Sequence, residues 1–309
     1  MNVFVIGATG FVGGTLARHL TAREHLVTDL ARTDVAAVAL AADGITPVVA
    51  DLDSRRSATI DAALEADVVV YAAQADPMLE TATVESLTRA MAGTGKTLIF
   101  LSGSGVLLQR TAGAWSQDSF AEHDPFAVEP LATSRKAAEG AVLAAASDRL
   151  RAMVIRPGLI WGPGDHGHVP MTYQSVAATG AACYVGPGLH TYSHVHIDDV
   201  TRLFTLALEA GRAGGLYHAV AGEVPNRWIA RESRTTSAAA PAASHHRKRS
   251  WSGESSGPSS WQPPAGCVPC AHSRNWGGAP SAPTCCPRSV KHAWEARRPQ
   301  HVTDVSLSL

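Results

Sequence analysis

The chain has 309 residues, 45% of them hydrophobic, and a formal net charge of -1, enough apolar material for one large core or two smaller ones. No apolar run approaches the ~20 residues that cross a bilayer, no secretory leader is legible, and four of the five cysteines lie beyond residue 260, so the pattern argues against a membrane-spanning or disulfide-stapled protein and for a globular, cytoplasmic one. The small net charge hides an asymmetry, with -8 up to residue 224 and +7 from residue 225 onward.

The continuous apolar run Asn2-Val3-Phe4-Val5-Ile6 predicts a buried parallel strand, and Gly7-Ala8-Thr9-Gly10-Phe11-Val12-Gly13-Gly14 follows without a spacer. Strand, glycine turn and helix come in the order that a dinucleotide site needs. Gly7 permits a tight turn, Gly10 lets the backbone approach a pyrophosphate, and Gly13 lets the helix pack on the strand, with the helix amides facing the phosphates. Thr9, Phe11 and Val12 stand between the glycines and belong to the same predicted contact. The spacing G-x-x-G-x-x-G, with Ala8-Thr9 and Phe11-Val12 in its gaps, resembles the extended and atypical short-chain dehydrogenase/reductase superfamily. The resemblance implies an NAD(P)-binding protein.

Phe11 to Leu20 reads as the first helix and Leu26 to Ala31 as the second strand. Its end is where an acidic residue would hold an adenosine ribose. Ala31 stands there and Arg32 follows, which suits a 2′-phosphate and favours NADP, while Asp29 upstream keeps NAD as an alternative. Val35 to Asp43 (helix), Thr46 to Ala50 (strand), Ala58 to Ala66 (helix) and Asp67 to Ala73 (strand) continue the alternation, which predicts an α/β fold with a right-handed, doubly wound parallel sheet of Rossmann type. The superfamily resemblance places Asp51-Leu52 beside the adenine, and the small Ala72 and Ala73 would let a cofactor pass the end of the fourth strand.

Val84 to Ala92 supplies a helix and Thr97 to Ser102 a fifth strand, whose end in the superfamily carries a hydroxyl that bonds the substrate oxygen. In gapless register that hydroxyl falls on Gly103, so Ser102 or Ser104 has to stand in, the alternative being that both serines only satisfy turn backbone. Residues 107–130 read as a variable loop. The helix from Thr133 to about Ala146 lies where the superfamily has Tyr-x-x-x-Lys. Lys136 matches the lysine, which would orient the nicotinamide ribose, but Ala132 occupies the place of the tyrosine, and alanine transfers no proton. Tyr173, Tyr192 and His194 are the later candidates to replace it, each read first as a packing or rim residue.

Ala152 to Asp165, containing Arg156-Pro157-Gly158-Leu159-Ile160-Trp161-Gly162-Pro163-Gly164-Asp165, resembles the R-P-x-x-V-Y-G-P-G-D signature of the NAD-dependent epimerase/dehydratase branch and implies that Pro157 lies on the nicotinamide side. Asp165, His166 and His168 lack a distant fourth ligand, so no metal is expected. Cys183 to Gly186 reads as a short strand, and His194 to Val200 resembles the V-H-V-D-D-V stretch of the branch, with Asp198 or Asp199 capping a helix from Val200 to Ala210. Leu216 to Val220 is the last convincing strand.

The expected organisation is an NAD(P)-binding domain over residues 1–156, a partial substrate subdomain over 157–230, and a disordered tail over 231–309. From Arg231 the chain has six large aliphatic residues, no Phe and no Tyr, but abundant Ser, Pro and Arg with scattered Trp and paired Cys. That composition reads as out-of-frame translation of GC-rich DNA. Cys267-x-x-Cys270 has metal-ligand spacing and, with His272, offers a zinc-binding alternative for the tail, but Cys285-Cys286 does not supply a second C-x-x-C pair, and the basic run His245 to Arg249 is short for nucleic acid and lacks interleaved aromatics. The expected function is an NAD(P)-dependent oxidoreductase or an epimerase/dehydratase-like protein acting by hydride transfer on a small molecule. The expected partners include neither nucleic acid nor membrane, and a homodimer is left open. The alternative, favoured by Ala132, is a catalytically silent NAD(P)-binding sensor.

Overall fold

Along the first strand, β1 (Asn2–Ile6), Val3 and Val5 face one side of the sheet and Phe4 and Ile6 the other, and all four are fully buried. A continuous apolar run is what burial on both faces requires. The computed structural model of the chain describes residues 1–163, 168–179, 181–182 and 184–239. Gly164, Asp165, His166, the side chain of His168, Cys183, and the tail from residue 240, with its cysteines and its His245 to Arg249 run, lie outside the described residues.

Seven strands form one parallel sheet in the order β3 (Thr46–Val48), β2 (Leu26–Leu30), β1, β4 (Val68–Tyr71), β5 (Lys96–Leu101), β6 (Leu150–Pro157), β9 (Leu216–Ala219). The strand order reverses between β1 and β4, and the crevice outside the carboxyl ends there is where such sheets bind ligands. One face is covered by α1 (Phe11–Thr21), α2 (Asp34–Ala42) and α7 (Ile197–Ala210), through Leu16, Leu20, Leu40, Val200 and Phe204. The other is covered by α3 (Arg56–Glu65), α4 (Pro77–Met91) and α5 (Thr133–Ala144), through Ala63, Leu87, Met91, Ala138 and Val142. The doubly wound Rossmann-type sheet is therefore present as expected.

A second sheet of three strands has the order β10 (Gly222–Pro225), β8 (Thr191–His196), β7 (Leu159–Trp161). Contacts divide the described chain into two units, Met1–Met171 with Leu189–Pro225, and Thr172–Gly188 with the segment from Asn226. The first unit thus runs well past residue 156, and β6 crosses that position without a break. In the second unit, Val176, Ala182 and Ala230 pack together with Tyr184 against them.

Several expected boundaries move. Tyr184 to Gly186 is not a strand but leads into a turn closed by the Gly188 amide on the Val185 carbonyl, and the strand of this region is β8. The cap of α7 is neither Asp198 nor Asp199. His196 fills that role, its Nδ1 accepting the Asp198 amide at 3.2 Å, while both aspartates lie in the first turn, where negative charge favours the helix dipole. α4 begins at Pro77, whose ring suits the first helical position, with the Asp76 carboxylate capping the Met78 amide at 2.9 Å. A helix α8 (Asn226–Ala239) carries regular structure through Arg231, where composition placed the start of disorder. Its inward positions Ala230 and Ser233 are small and buried, so the helix packs without large aliphatics.

Candidate functional site

The glycine turn is built by close approach. Gly7 has φ of +110°, and a Cβ on it would lie 2.8 Å from the Ala73 nitrogen and 2.9 Å from the Ala72 carbonyl carbon. Only glycine adopts this conformation so near a neighbouring backbone without strain. A Cβ on Gly13 would overlap the Gly7 carbonyl oxygen, so α1 packs onto the turn only through a bare backbone. Gly10 is the residue that caps α1, with no side-chain cap of its own, and the first turn carries no acidic residue. A helix N-terminus with no acid in its first turn, reached by a bare glycine backbone, fits the diphosphate of a dinucleotide. Thr9 and Gly10 are exposed on the outer side of the turn; Phe11 and Val12 are half-buried. The loop after β7 reaches the same place, since a Cβ on Gly162 would lie 3.3 Å from Phe11 Cζ.

Beneath the turn stands Asp29, 1% exposed, whose Oδ1 accepts the Gly7 amide at 2.9 Å. Burial raises its carboxyl to about 7 against the pull of the Gly7, Leu30, Ala8 and Thr9 amides. Asp29 is thus turned inward beneath the turn, a place that sequence alone did not give it. The signal was a lone acid inside an apolar strand. Arg32, by contrast, is exposed just before Thr33, the N-cap of α2, and makes no ion pair among the described residues.

Asp51 accepts the Asp53 and Arg55 amides at 2.9 and 3.0 Å and the Ser54 hydroxyl at 2.7 Å. The Ser54 hydroxyl and the Arg55 amide hold its carboxyl well below the usual range. Its carboxylate thus shapes the loop that Leu52 anchors to the core. Ala72 and Ala73 lie half-buried at the end of β4, against Gly7.

The second half of the site is a buried polar chain at the carboxyl ends of β5, β6 and β9. Ser102 donates its hydroxyl to Glu139 Oε1 at 2.6 Å, and Arg156 donates Nε to the same oxygen at 2.7 Å and Nη2 to Oε2 at 2.5 Å. Arg156 Nη1 lies 3.3 Å from His218 Nε2, so that imidazole nitrogen is the acceptor, and the His218 amide bonds Glu122 at 3.0 Å. Burial, reinforced by Arg156, lowers the His218 pKa, so the ring stays neutral. Burial works to raise Glu122, but the His218 amide and neighbouring groups outweigh it and hold the carboxyl low. Phe126 from the 107–130 loop covers the cluster, its ring centre 5.5 Å from the Arg156 guanidinium and 5.9 Å from Lys136 Nζ.

Lys136 is half-buried with Nζ 3.6 Å from Glu139 Oε2. The adjacent Arg135 points elsewhere, forming an ion pair with Glu80 at 3.0 Å and donating to the Leu101 carbonyl at 3.2 Å. Ala132, one turn before Lys136, is 4% exposed and packed. The two serines separate clearly. Ser102 is committed to Glu139, whereas the half-buried Ser104 hydroxyl makes no bond among the described residues. Gly103 has open space, a Cβ there meeting nothing nearer than the Pro157 carbonyl at 4.0 Å. Of the replacement acids, Tyr192 is half-buried, its phenol pKa raised by burial, and packs edge-on to His190 at 5.8 Å. His194 is buried in β8, and Tyr173 belongs to the second unit. Among the described residues no His, Cys, Asp and Glu cluster could hold a metal ion, and no helix is long and apolar enough to cross a membrane.

The sequence model of the NAD dependent epimerase/dehydratase family matches residues 3–221. Over 241 residues the chain is 33% identical to an uncharacterized protein of Schizosaccharomyces pombe, spanning 74% of this chain and 78% of that protein. It is 27% identical over 227 residues to a 4-hydroxy-2-methyl-3-oxo-4-farnesyl-3,4-dihydroquinoline-1-oxide ketoreductase of Stigmatella aurantiaca, spanning 70% and 67% of the two chains. In fold it is similar to the dTDP-glucose 4,6-dehydratase of Bacillus anthracis solved with NAD, with a TM-score of 0.64 and 18% identity over 77% of this chain and 81% of that one.

Proposed function

The chain belongs to the NAD dependent epimerase/dehydratase family, and from that premise we propose that it is an NADP-dependent oxidoreductase acting on the carbonyl of a small molecule. The carrying observation is Arg32, an exposed cation without an ion pair among the described residues, placed at the end of β2 where Ala31 offers no carboxylate to a ribose. A 2′-phosphate is the group that such a guanidinium recognises. The ketoreductase relative supports the substrate class by its name.

In this reading the Gly7 to Gly13 turn and the first amides of α1 hold the diphosphate, Asp51 and Leu52 shape the adenine side, and Ala72 and Ala73 leave room along β4. The bound cofactor supplies hydride exchange at the nicotinamide. Lys136 orients the neighbouring ribose, Pro157 closes the nicotinamide side, and Ser104 donates its free hydroxyl to the substrate oxygen. The loop that carries Glu122 and Phe126 shields this region from water. Ala132 supplies no proton, which favours a second reading, a silent NADP-binding sensor.

Titration with NADPH and NADH, followed by fluorescence, tests the cofactor. Carbonyl compounds, alcohols and nucleotide-sugars are then screened by absorbance of the reduced cofactor. Binding with turnover of a carbonyl compound supports the reductase, binding without any turnover supports the sensor, and no binding of either cofactor overturns both.

A further inference from the structure

The glycine turn whose residues fit a doubly charged diphosphate is tied from within to a carboxyl group with 1% exposure. Asp29 Oδ1 takes the Gly7 amide at 2.9 Å, while Oδ2, though the Leu30, Ala8 and Thr9 amides also draw on the carboxyl, has no well-directed hydrogen-bond partner among the described residues. A buried carboxylate with one unmatched oxygen is costly, and a protonated carboxyl is not. Two negative groups facing one thin turn disfavour each other.

Resting on the cofactor reading above, we propose that Asp29 is a proton-coupled positioning residue of the diphosphate site. It fastens the turn through Gly7 and takes up a proton from solvent onto Oδ2 when the diphosphate binds, so cofactor affinity falls as the solution becomes alkaline. Among the described residues no cation pairs with Asp29 to do this instead. β1 and β3, which flank β2, carry no titratable side chain. On the same face, α1 brings Arg18, paired with Asp43 at 3.0 Å, and His19, while α2 brings Asp34 in its exposed first turn. Arg32 follows β2 but is exposed to solvent. The carboxyl, buried and held by the Gly7 amide, titrates at about 7 in the free protein. Diphosphate binding raises that value, so affinity is full below it and is lost as pH rises through it.

NADH is the suitable probe, because its diphosphate keeps its charge, whereas a 2′-phosphate titrates near pH ~6. Fluorescence titrations from about pH 6 to about pH 9 should show Kd rising about tenfold per pH unit above about 7 until the bound form titrates. Calorimetry at about pH 7.5 in phosphate and Tris buffers should show uptake of a fraction of a proton per NADH bound. Asp29→Asn, which keeps an oxygen for the Gly7 amide, should bind NADH with little pH dependence and without that uptake. A flat wild-type profile without proton uptake overturns the proposal even if the variant does not fold. An unchanged slope in a folded Asn variant also overturns it. No NADH or NADPH binding at any pH overturns instead the cofactor reading on which it rests.

Discussion

Arg156 meets Glu139 through two parallel N–H groups, at 2.7 and 2.5 Å, in a place where the two side chains are 1% and 0% exposed. Ser102 adds a third donor to the same carboxylate and Lys136 a second cation. Such a pair gains little over apolar side chains of the same volume, but losing one partner strands a buried charge. Glu139→Ala and Arg156→Ala should each lower unfolding free energy by about 3–5 kcal/mol, whereas the paired replacement Glu139→Leu with Arg156→Met should cost clearly less than the sum of the single changes. Urea denaturation of the four proteins measures this.

The hydroxyls of Ser102 and Ser104 should report on different properties. Ser102→Ala removes one donor from a buried carboxylate and should cost about 1–3 kcal/mol of stability. Ser104→Ala touches no hydrogen bond among the described residues and should leave the unfolding midpoint unchanged, while lowering kcat/KM about tenfold, the value of one substrate hydrogen bond. A serine introduced at Gly103 has room for its Cβ and should partly restore that loss. Equal effects of the two alanine changes on stability would contradict the assignment.

Arg32→Ala should weaken NADPH binding by about 1.5–3 kcal/mol, the scale of a charged hydrogen bond, and leave NADH nearly untouched. The ratio of the two dissociation constants is the measurement. A wild-type ratio near unity would remove Arg32 from the site.

The dinucleotide half of the molecule was legible because its signals are local. Apolar runs predict β1 and β4, and the glycine spacing predicts the turn that places Gly7 against Ala73. The polar cluster was not legible, because Ser102 and Glu139 are 37 residues apart and Glu139 and Arg156 are 17 apart. A glutamate on the Ala138–Val142 face of an amphipathic helix was the available sign, since a charge on an inward face needs a buried partner. β8 and β10 escaped for another reason. Histidines interrupt the alternation of β8, and Gly222 and Pro225 bound an edge strand where glycine and proline are tolerated. Asp29, which sequence position offered only as keeping NAD possible, is turned by strand alternation under the glycine turn.

The second unit bears on the chain beyond Ala230. On α8, Ala230 and Ser233 point inward with 3% and 1% exposure, and the Ser233 hydroxyl folds back onto the Ile229 carbonyl at 2.8 Å. In sequence, the positions that would continue this spacing are Ser237, Ala240 and Pro241, none of them a large aliphatic. The residues from 231 onward include only six large aliphatics. The expected explanation is a shifted reading frame. Translating the gene in its other forward frames beyond the codon for Ala230 should yield a stretch of similar length, rich in Leu, Val and Ile at helical spacing and continuing the inward face of α8. A protein expressed with that frame restored should unfold at a higher temperature. Each fully buried Leu or Ile contributes about 2 kcal/mol, and each kcal/mol moves the midpoint by about 2–4 °C in a domain of this size. If neither alternative frame contains such a stretch, the tail is the authentic continuation of the gene, and α8 closes its inward face with Ser233 by design.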